Sequence, residues 1–220
     1  MKNVLMSWSS GKDSAWALHL LLQQKGVRIA GLVTTFNQAA NRVAMHAVRR
    51  ALVEAQAERI GAPWWPVELP WPCSNADYEE IMRGVCRRAV DEGVEAFSFG
   101  DLFLQDIRAY RERQLEGTGL EALFPVWGLP TDALARTMIE AGVKAKVTCV
   151  DPSKLDKSFA GRDYDREFLE SLPATVDPCG ENGEFHTFVY DSPVFRGAIP
   201  VQTGEIVERD GFVFADVRPS

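Results

Sequence analysis

Two apolar spacings alternate along the first half of this 220-residue chain. Residues 3–7 form a short β-prone run. Residues 15–24 repeat apolar side chains at helical spacing until Lys25-Gly26 interrupts them, and residues 27–36 are apolar and β-rich enough for a buried strand. From Ala44 the set Ala44, Ala47, Val48, Ala51, Leu52 and Ala55 keeps helical spacing, with Arg49, Arg50, Glu54 and Glu58 on the other side and Gly61 ending the pattern. Residues 63–69 read as the next strand, running into the connector Leu69-Pro70-Trp71-Pro72, where proline excludes regular structure. Tyr78, Ile81, Met82, Val85 and Ala89 mark the buried stripe of a further helix, and residues 95–99 a strand that stops at Gly100-Asp101. Strands alternating with helices in this way predict an α/β fold, a Rossmann-like parallel sheet with helices on both faces. Such sheets bind ligands at the carboxyl ends of their strands. In this chain those ends carry residues 7–14, 34–41 and 100–106.

The texture changes after about residue 127. Helices are predicted over 131–141 and 163–172 and a strand over 144–150, and Asp210-Gly211 between the β-prone runs 206–209 and 212–217 is a two-residue hairpin signal. A smaller C-terminal α+β domain packed on the first is the simplest account, with the division at 1–127 and 128–220.

Composition narrows the function classes. With 46% apolar and 25% charged residues the chain falls in the ordinary globular range. Its longest strongly apolar stretch, residues 15–22, is broken by His19 and is too short to span a bilayer. The apolar run near Met1 is too short for a secretory signal, so a cytoplasmic protein is expected. A net charge of −7 makes nucleic acid a poor partner, and Arg49-Arg50 and Arg87-Arg88 fall on the polar sides of helical segments. The four cysteines, Cys73, Cys86, Cys149 and Cys179, contain no C-x-x-C pair, which reads as reduced structural thiols.

Chemistry enters at Ser9-Ser10-Gly11-Lys12-Asp13-Ser14, directly between the first strand and the first helix. Small residues there let the backbone approach a ligand with its N–H groups outward, the helix dipole adds partial positive charge, and Lys12 adds a full one. A polyphosphate is the expected guest. A Walker A loop is excluded, because Met6 stands where its first glycine belongs and Asp13 follows the lysine. An ordinary helix cap by Ser9 or Ser10 would need one hydroxyl rather than six ordered residues.

Ser-Ser-Gly-Lys-Asp-Ser resembles the PP-loop of the ATP pyrophosphatases, Ser-Gly-Gly-x-Asp-Ser, with Ser10 in place of the first glycine. The resemblance covers nearly the whole chain and sharpens toward the diphthine-ammonia ligase family and its bacterial relatives. Cys179-Gly180-Glu181-Asn182-Gly183-Glu184-Phe185-His186-Thr187 is similar to that family's Gly-Glu-Gly-Gly-Glu-Phe/Tyr-Glu-Thr signature, and Phe99-Gly100-Asp101 and Phe124-Pro125-Val126-Trp127-Gly128 resemble its second and third blocks. Asn182 replaces a glycine and His186 a glutamate, so the resemblance implies amide ligation without fixing diphthine as the acceptor.

The resemblance implies an adenine nucleotide alpha hydrolase type fold, ATP and Mg²⁺ as cofactors, and cleavage of ATP to AMP and pyrophosphate. The partners would be a carboxylate-bearing substrate and ammonia or an amine. Ser9, Ser10, Gly11, Lys12, Asp13 and Ser14 are then expected at the phosphates, Thr34, Thr35 and Phe36 at the adenine, and Gly100 and Asp101 beside the nucleotide, with Asp13 as a metal ligand; read from residues, Asp101 is expected as a second oxygen ligand, with Asp106 the alternative unless it caps the next helix. Lys12, Asp13 and Glu184 are the expected catalytic residues, Glu184 accepting a proton from the attacking amine. His46, Tyr110, Arg111, Glu181, Asn182, Gly183, His186 and Thr187 are expected at the substrate. Read from residues alone, the 181–187 segment could equally be a polar turn, Tyr110 and Arg111 part of a surface ion-pair ladder, and His46 a helix start. Three other readings stand beside diphthine ligation: an amide ligase for an unrelated small molecule, a tRNA-modifying PP-loop enzyme, and a non-catalytic nucleotide-binding module. A homodimer is compatible with each.

Overall fold

The computed structural model describes residues 1–43 and 46–220. Its first sheet is built from β1 (Lys2–Ser7), β2 (Val27–Asn37), the short β3 (Arg42–Val43), β4 (Trp64–Leu69), β5 (Ala96–Ser98) and β6 (Glu121–Leu123). β1 lies between β2 and β5, β6 flanks β5, and β4 pairs with the C-terminal part of β2; all of these pairings are parallel, and only β3 runs antiparallel, against Phe36 and Asn37. Val4, Leu5 and Met6 have no exposed surface, as a central parallel strand covered on both faces requires.

Alternation of side chains along β1 distributes it between two cores. Val4 and Met6 pack with Ala15, Leu18 and Leu52 of helices α1 (Lys12–Gln23) and α2 (Arg50–Ile60). Leu5 packs on the opposite face with Met82, Cys86 and Leu115 of α3 (Asn75–Asp91) and α4 (Gln105–Leu115). The start of α3 is fixed by a capping box, in which Ser74 accepts from the Asp77 amide and Asp77 accepts from that of Ser74.

The second sheet is antiparallel, in the order β8 (Phe185–Asp191), β7 (Lys144–Val150), β10 (Phe212–Pro219), β9 (Val201–Arg209). Helices α5 (Thr131–Glu140) and α6 (Arg166–Ser171) accompany it. Asp210 and Gly211, with φ of 53° and 81°, make the expected hairpin turn. Phe168, Phe185 and Val213 belong to the same apolar cluster as Val4 and Leu18, so the second sheet is layered onto the α1 side of the first.

Several elements differ from expectation, among them α6, which starts at Arg166 rather than 163, and β9, which starts at Val201 rather than 206. α1 begins at Lys12, inside the Ser-rich motif, with Gly11 as its cap. α2 begins at Arg50 rather than 44, because the backbone of Val43 exchanges hydrogen bonds with Ala47 and Val48, which keeps those residues out of the helix; Ala44 and Met45 lie outside the described residues. His46 is therefore on a turn and not at a helix start. Strand β8 occupies half of what reads as a polar loop.

Candidate active site

The motif sits where the sheet's topology predicts, after the C-terminal end of β1. Ser10 has φ of 70°, in the left-handed region, where the resembling pattern carries glycine. Gly100, after β5, lies against the first turn of α1 so closely that an added Cβ would stand 3.0 Å from the carbonyl carbon of Asp13 and the nitrogen of Ser14. The loop is also tied to the second sheet. The Val189 amide donates to Ser10 O at 2.9 Å and the Lys12 amide to Thr187 Oγ1 at 3.2 Å. Gln56, fully buried, accepts from Trp8 Nε1 and donates to both Ser10 O and Val189 O.

A cavity of about 510 Å³ opens between the strand ends, the start of α1 and the Cys179–Thr187 segment. Ser9, Lys12, Asp13, Ser14, Thr35, His46, Gly100, Asp101, Arg111, Glu181, His186 and Thr187 all line it. Other expected residues lie elsewhere. Thr34 and Phe36 are buried in the sheet and do not reach the cavity. Tyr110 lines a separate groove between α3 and α4 and its hydroxyl accepts from Gln114 Nε2. Glu184, 3% exposed, accepts from the Asp177 amide and from Asn182 Nδ2, so it closes the turn from within. Asn182 and Gly183 belong to that turn beside Lys154. The carboxylate that faces the cavity is Glu181. Sequence reading overlooked the apolar wall of Leu69, Tyr78, Met82, Leu104 and Ile107; Tyr78 and Met82 were legible only as a helix stripe.

The electrostatics are those of a partly dry acidic cleft. Glu181 Oε1 accepts from the amides of Leu102 (2.7 Å) and Phe103 (3.4 Å). Burial pushes its carboxyl up to about 7, against these hydrogen bonds and with help from neighbouring Asp13 and Asp101. Burial also raises Asp13 and Asp101, opposed by Lys12 and Arg111 respectively. Among the described residues Asp13 Oδ1, Asp101 Oδ2 and Arg111 Nε are buried without a hydrogen-bond partner, the last two forming an ion pair at 3.6 Å. His46 Nδ1 donates to Thr187 O at 3.1 Å, and its ring packs on His186 with centroids 4.6 Å apart. Burial lowers His46 to about 4 and His186 to about 3, so both imidazoles are neutral near pH 7.

Lys12 is not free. It is 2% exposed, its Nζ donates to Cys179 O and to Asp13 Oδ2 (2.9 Å), and it stands 5.4 Å from the ring centroids of both Tyr164 and Phe185. Lys12 lines the cavity, yet its ammonium is engaged by protein partners at the join between the two sheets.

Among the described residues no helix is long and apolar enough to cross a membrane, and no three His, Cys, Asp or Glu side chains gather as a metal site. Mg²⁺ needs only one or two carboxylates beside phosphates and water. Asp13 Oδ1, without a hydrogen-bond partner among the described residues, and the Asp101 carboxylate, paired to Arg111 only at 3.6 Å, fit that demand.

Comparison with known proteins gives the same direction at both ends of the chain. Residues 1–122 match the diphthamide synthase N-terminal domain and residues 130–217 the diphthamide synthase C-terminal domain. The chain is similar to the diphthine–ammonia ligase of Homo sapiens, 28% identical over 150 residues that cover 66% of this chain and 56% of the human protein. It is also similar to that of Schizosaccharomyces pombe, 27% identical over 158 residues covering 69% of this chain and 26% of the yeast protein. The chain thus spans about half of the human relative's length and a quarter of the yeast one's. Among solved structures, a predicted subunit of tRNA methyltransferase from Methanocaldococcus jannaschii superposes with a TM-score of 0.39 at 15% identity, covering 61% of this chain and 72% of that one, a likeness too loose to carry an argument. With both domain matches in chain order and the motif, the cleft and the Gly180–Thr187 segment meeting in one cavity, this chain belongs to the diphthamide synthase family.

Proposed function

We propose that this chain is an ATP-dependent amide-forming ligase, with residues 1–127 as the nucleotide-binding unit and 128–220 as the acceptor unit. The observation that carries the reading is the shared cavity: the phosphate loop forms one wall and Glu181 and His186 the other. In the first half-reaction an acceptor carboxylate oxygen attacks the α-phosphorus of ATP, the bond to the bridging oxygen breaks, and pyrophosphate leaves. In the second, ammonia or an amine attacks the acyl carbon, AMP departs, and the amine's proton goes to a base.

Ser9, Ser14 and the loop's backbone hold the phosphates, as a helix start favours anions. Thr35 and the apolar wall of Leu69, Tyr78 and Met82 take the adenine. Asp13 and Asp101 would hold Mg²⁺, which screens the charge that builds on the leaving pyrophosphate. Arg111, whose buried Nε is held, among the described residues, only by the 3.6 Å ion pair with Asp101, orients the acceptor carboxylate. Glu181, raised to about 7, accepts the amine's proton near neutral pH, the role that sequence reading gave to Glu184. Product analysis of ATP turnover tests the reading: AMP and pyrophosphate, formed only when a carboxylate and ammonia are present, are expected, and ADP with phosphate as main products would overturn it.

The acceptor is a second question. The relatives are named for diphthine, a cationic carboxylate, yet a neutral His186 offers such a ligand no anionic contact. A cationic acceptor would then depend on the other acidic side chains of the cavity, Glu181 and Asp101, rather than on position 186.

A further inference from the structure

We propose that Lys12 is a positioning residue: its ammonium pins the Cys179–Glu181 turn against the phosphate loop and so sets where Glu181 stands, and it does not contact the phosphates. An ammonium has three N–H bonds and no acceptor. One is used by Cys179 O, one by Asp13 Oδ2, and the third faces the ring pair of Tyr164 and Phe185, 5.4 Å from each centroid. None is left for a nucleotide. The pocket around the ammonium is built for a cation: Tyr164 is itself buried and held by its hydroxyl on Pro178 O at 2.9 Å, and Phe185 is 2% exposed.

The pinned turn is tight. Gly180 has φ of 71°, and a Cβ there would stand 2.8 Å from Phe185 O, so the chain cannot take up slack beside the pin. One residue further on, Glu181 reaches across the cleft to the Leu102 amide at 2.7 Å. The contacts therefore run from the loop lysine to the Cys179 carbonyl, through the turn to Glu181, and on to the strand-end segment after β5. An elongated charged side chain at the fourth position of the motif is used internally to register the acceptor wall on the phosphate loop.

The inference rests on the ligase reading only for the use to which Glu181 is put; the pin itself is tested without substrate. In native protein labelled with ¹⁵N and ¹³C, the Lys12 ammonium should give a slowly exchanging ¹⁵Nζ signal, absent from K12M, with a coupling across the hydrogen bond to the Cys179 carbonyl carbon. That coupling should persist in saturating Mg-ATP. Its absence in the free protein, or its replacement by a coupling to ³¹P, overturns the proposal. In K12M the Leu102 amide, far away in sequence, should exchange with solvent at least tenfold faster, and unaltered exchange there likewise overturns it. If K12M does not fold, the native couplings decide alone. Failure of native protein to bind Mg-ATP at all would refute the nucleotide reading while leaving the free-protein coupling and the Leu102 exchange to judge the pin.

Discussion

Replacing Glu181 by Gln separates the cost of an ionised carboxylate in the cleft from its use. The carboxyl titrates at about 7 in the fold against an ordinary 4.5, so the folded protein binds that proton more tightly than the unfolded chain does. The stability this contributes is fully present below the unfolded value and is lost as pH rises from about 4.5 through about 7. Each tenfold change in proton affinity corresponds to about 1.4 kcal/mol, so keeping Glu181 ionised at pH 8 costs the native state about 3 kcal/mol. Gln resembles the neutral acid in shape, and its amide oxygen still accepts from the Leu102 amide. Urea unfolding should give E181Q and native protein nearly equal stability at pH 4.5, with the variant about 3 kcal/mol ahead at pH 8. At about 2–4 °C per kcal/mol for a chain of this size, the midpoint of thermal unfolding should rise by roughly 6–12 °C at pH 8. Amide formation should fall steeply in the same variant while Mg-ATP still binds. A stability difference that does not change between pH 4.5 and 8, or a native protein that is the more stable at pH 8, would refute the electrostatic reasoning.

Three further outcomes are expected. S10G should raise the urea midpoint by a stability equivalent of about 1 kcal/mol, because the residue holds φ of 70° and its buried hydroxyl has no partner. D216N should cost about 2 kcal/mol, since the 13%-exposed Asp216 binds Arg42, Arg49 and Arg218 at 2.6–3.0 Å and these partly exposed arginines would lose their counter-charge; hydrogen bonds from the three arginines hold its carboxyl well below the usual range despite burial, so the loss should be full above about pH 4 and shrink in stronger acid. H186E should shift acceptor preference toward cationic carboxylates, read as pyrophosphate release from a panel of carboxylates with ammonia; identical profiles would remove His186 from acceptor selection.

The parts legible in the sequence are those where one local pattern suffices. Val4-Leu5-Met6 and Ala96-Phe97 are short apolar runs between polar punctuation, which is enough to place central strands, and a Ser-rich hexad after the first of them is enough to place the turn into the first helix. The family resemblance drawn from that hexad and the 179–187 signature is the one that the domain matches show. Orientation within a turn is not local in this sense. Glu181 and Glu184 are three residues apart with Gly180 and Gly183 both at positive φ between strands, and only the folded turn decides which carboxylate faces the cavity. The lysine's partner carbonyl is 167 residues away, and no spacing rule reaches it. Strand β8 escaped because His186 and Thr187 interrupt its apolar alternation, and each has a task at the cavity rather than in the core.

The stitching of Ser10 to Val189 and Gln56 has a consequence for the order of events during synthesis. The motif leaves the ribosome about 175 residues ahead of the strand that braces it, because the amide that caps its carbonyl and the second acceptor of the Gln56 side chain belong to residue 189. A nascent chain stalled before that point would carry every residue of the phosphate loop and lack the strand that fixes its shape. Competence to hold a nucleotide is therefore expected to appear late, when the same strand also brings His186 and Thr187 to the cleft, so that ATP and acceptor sites mature together.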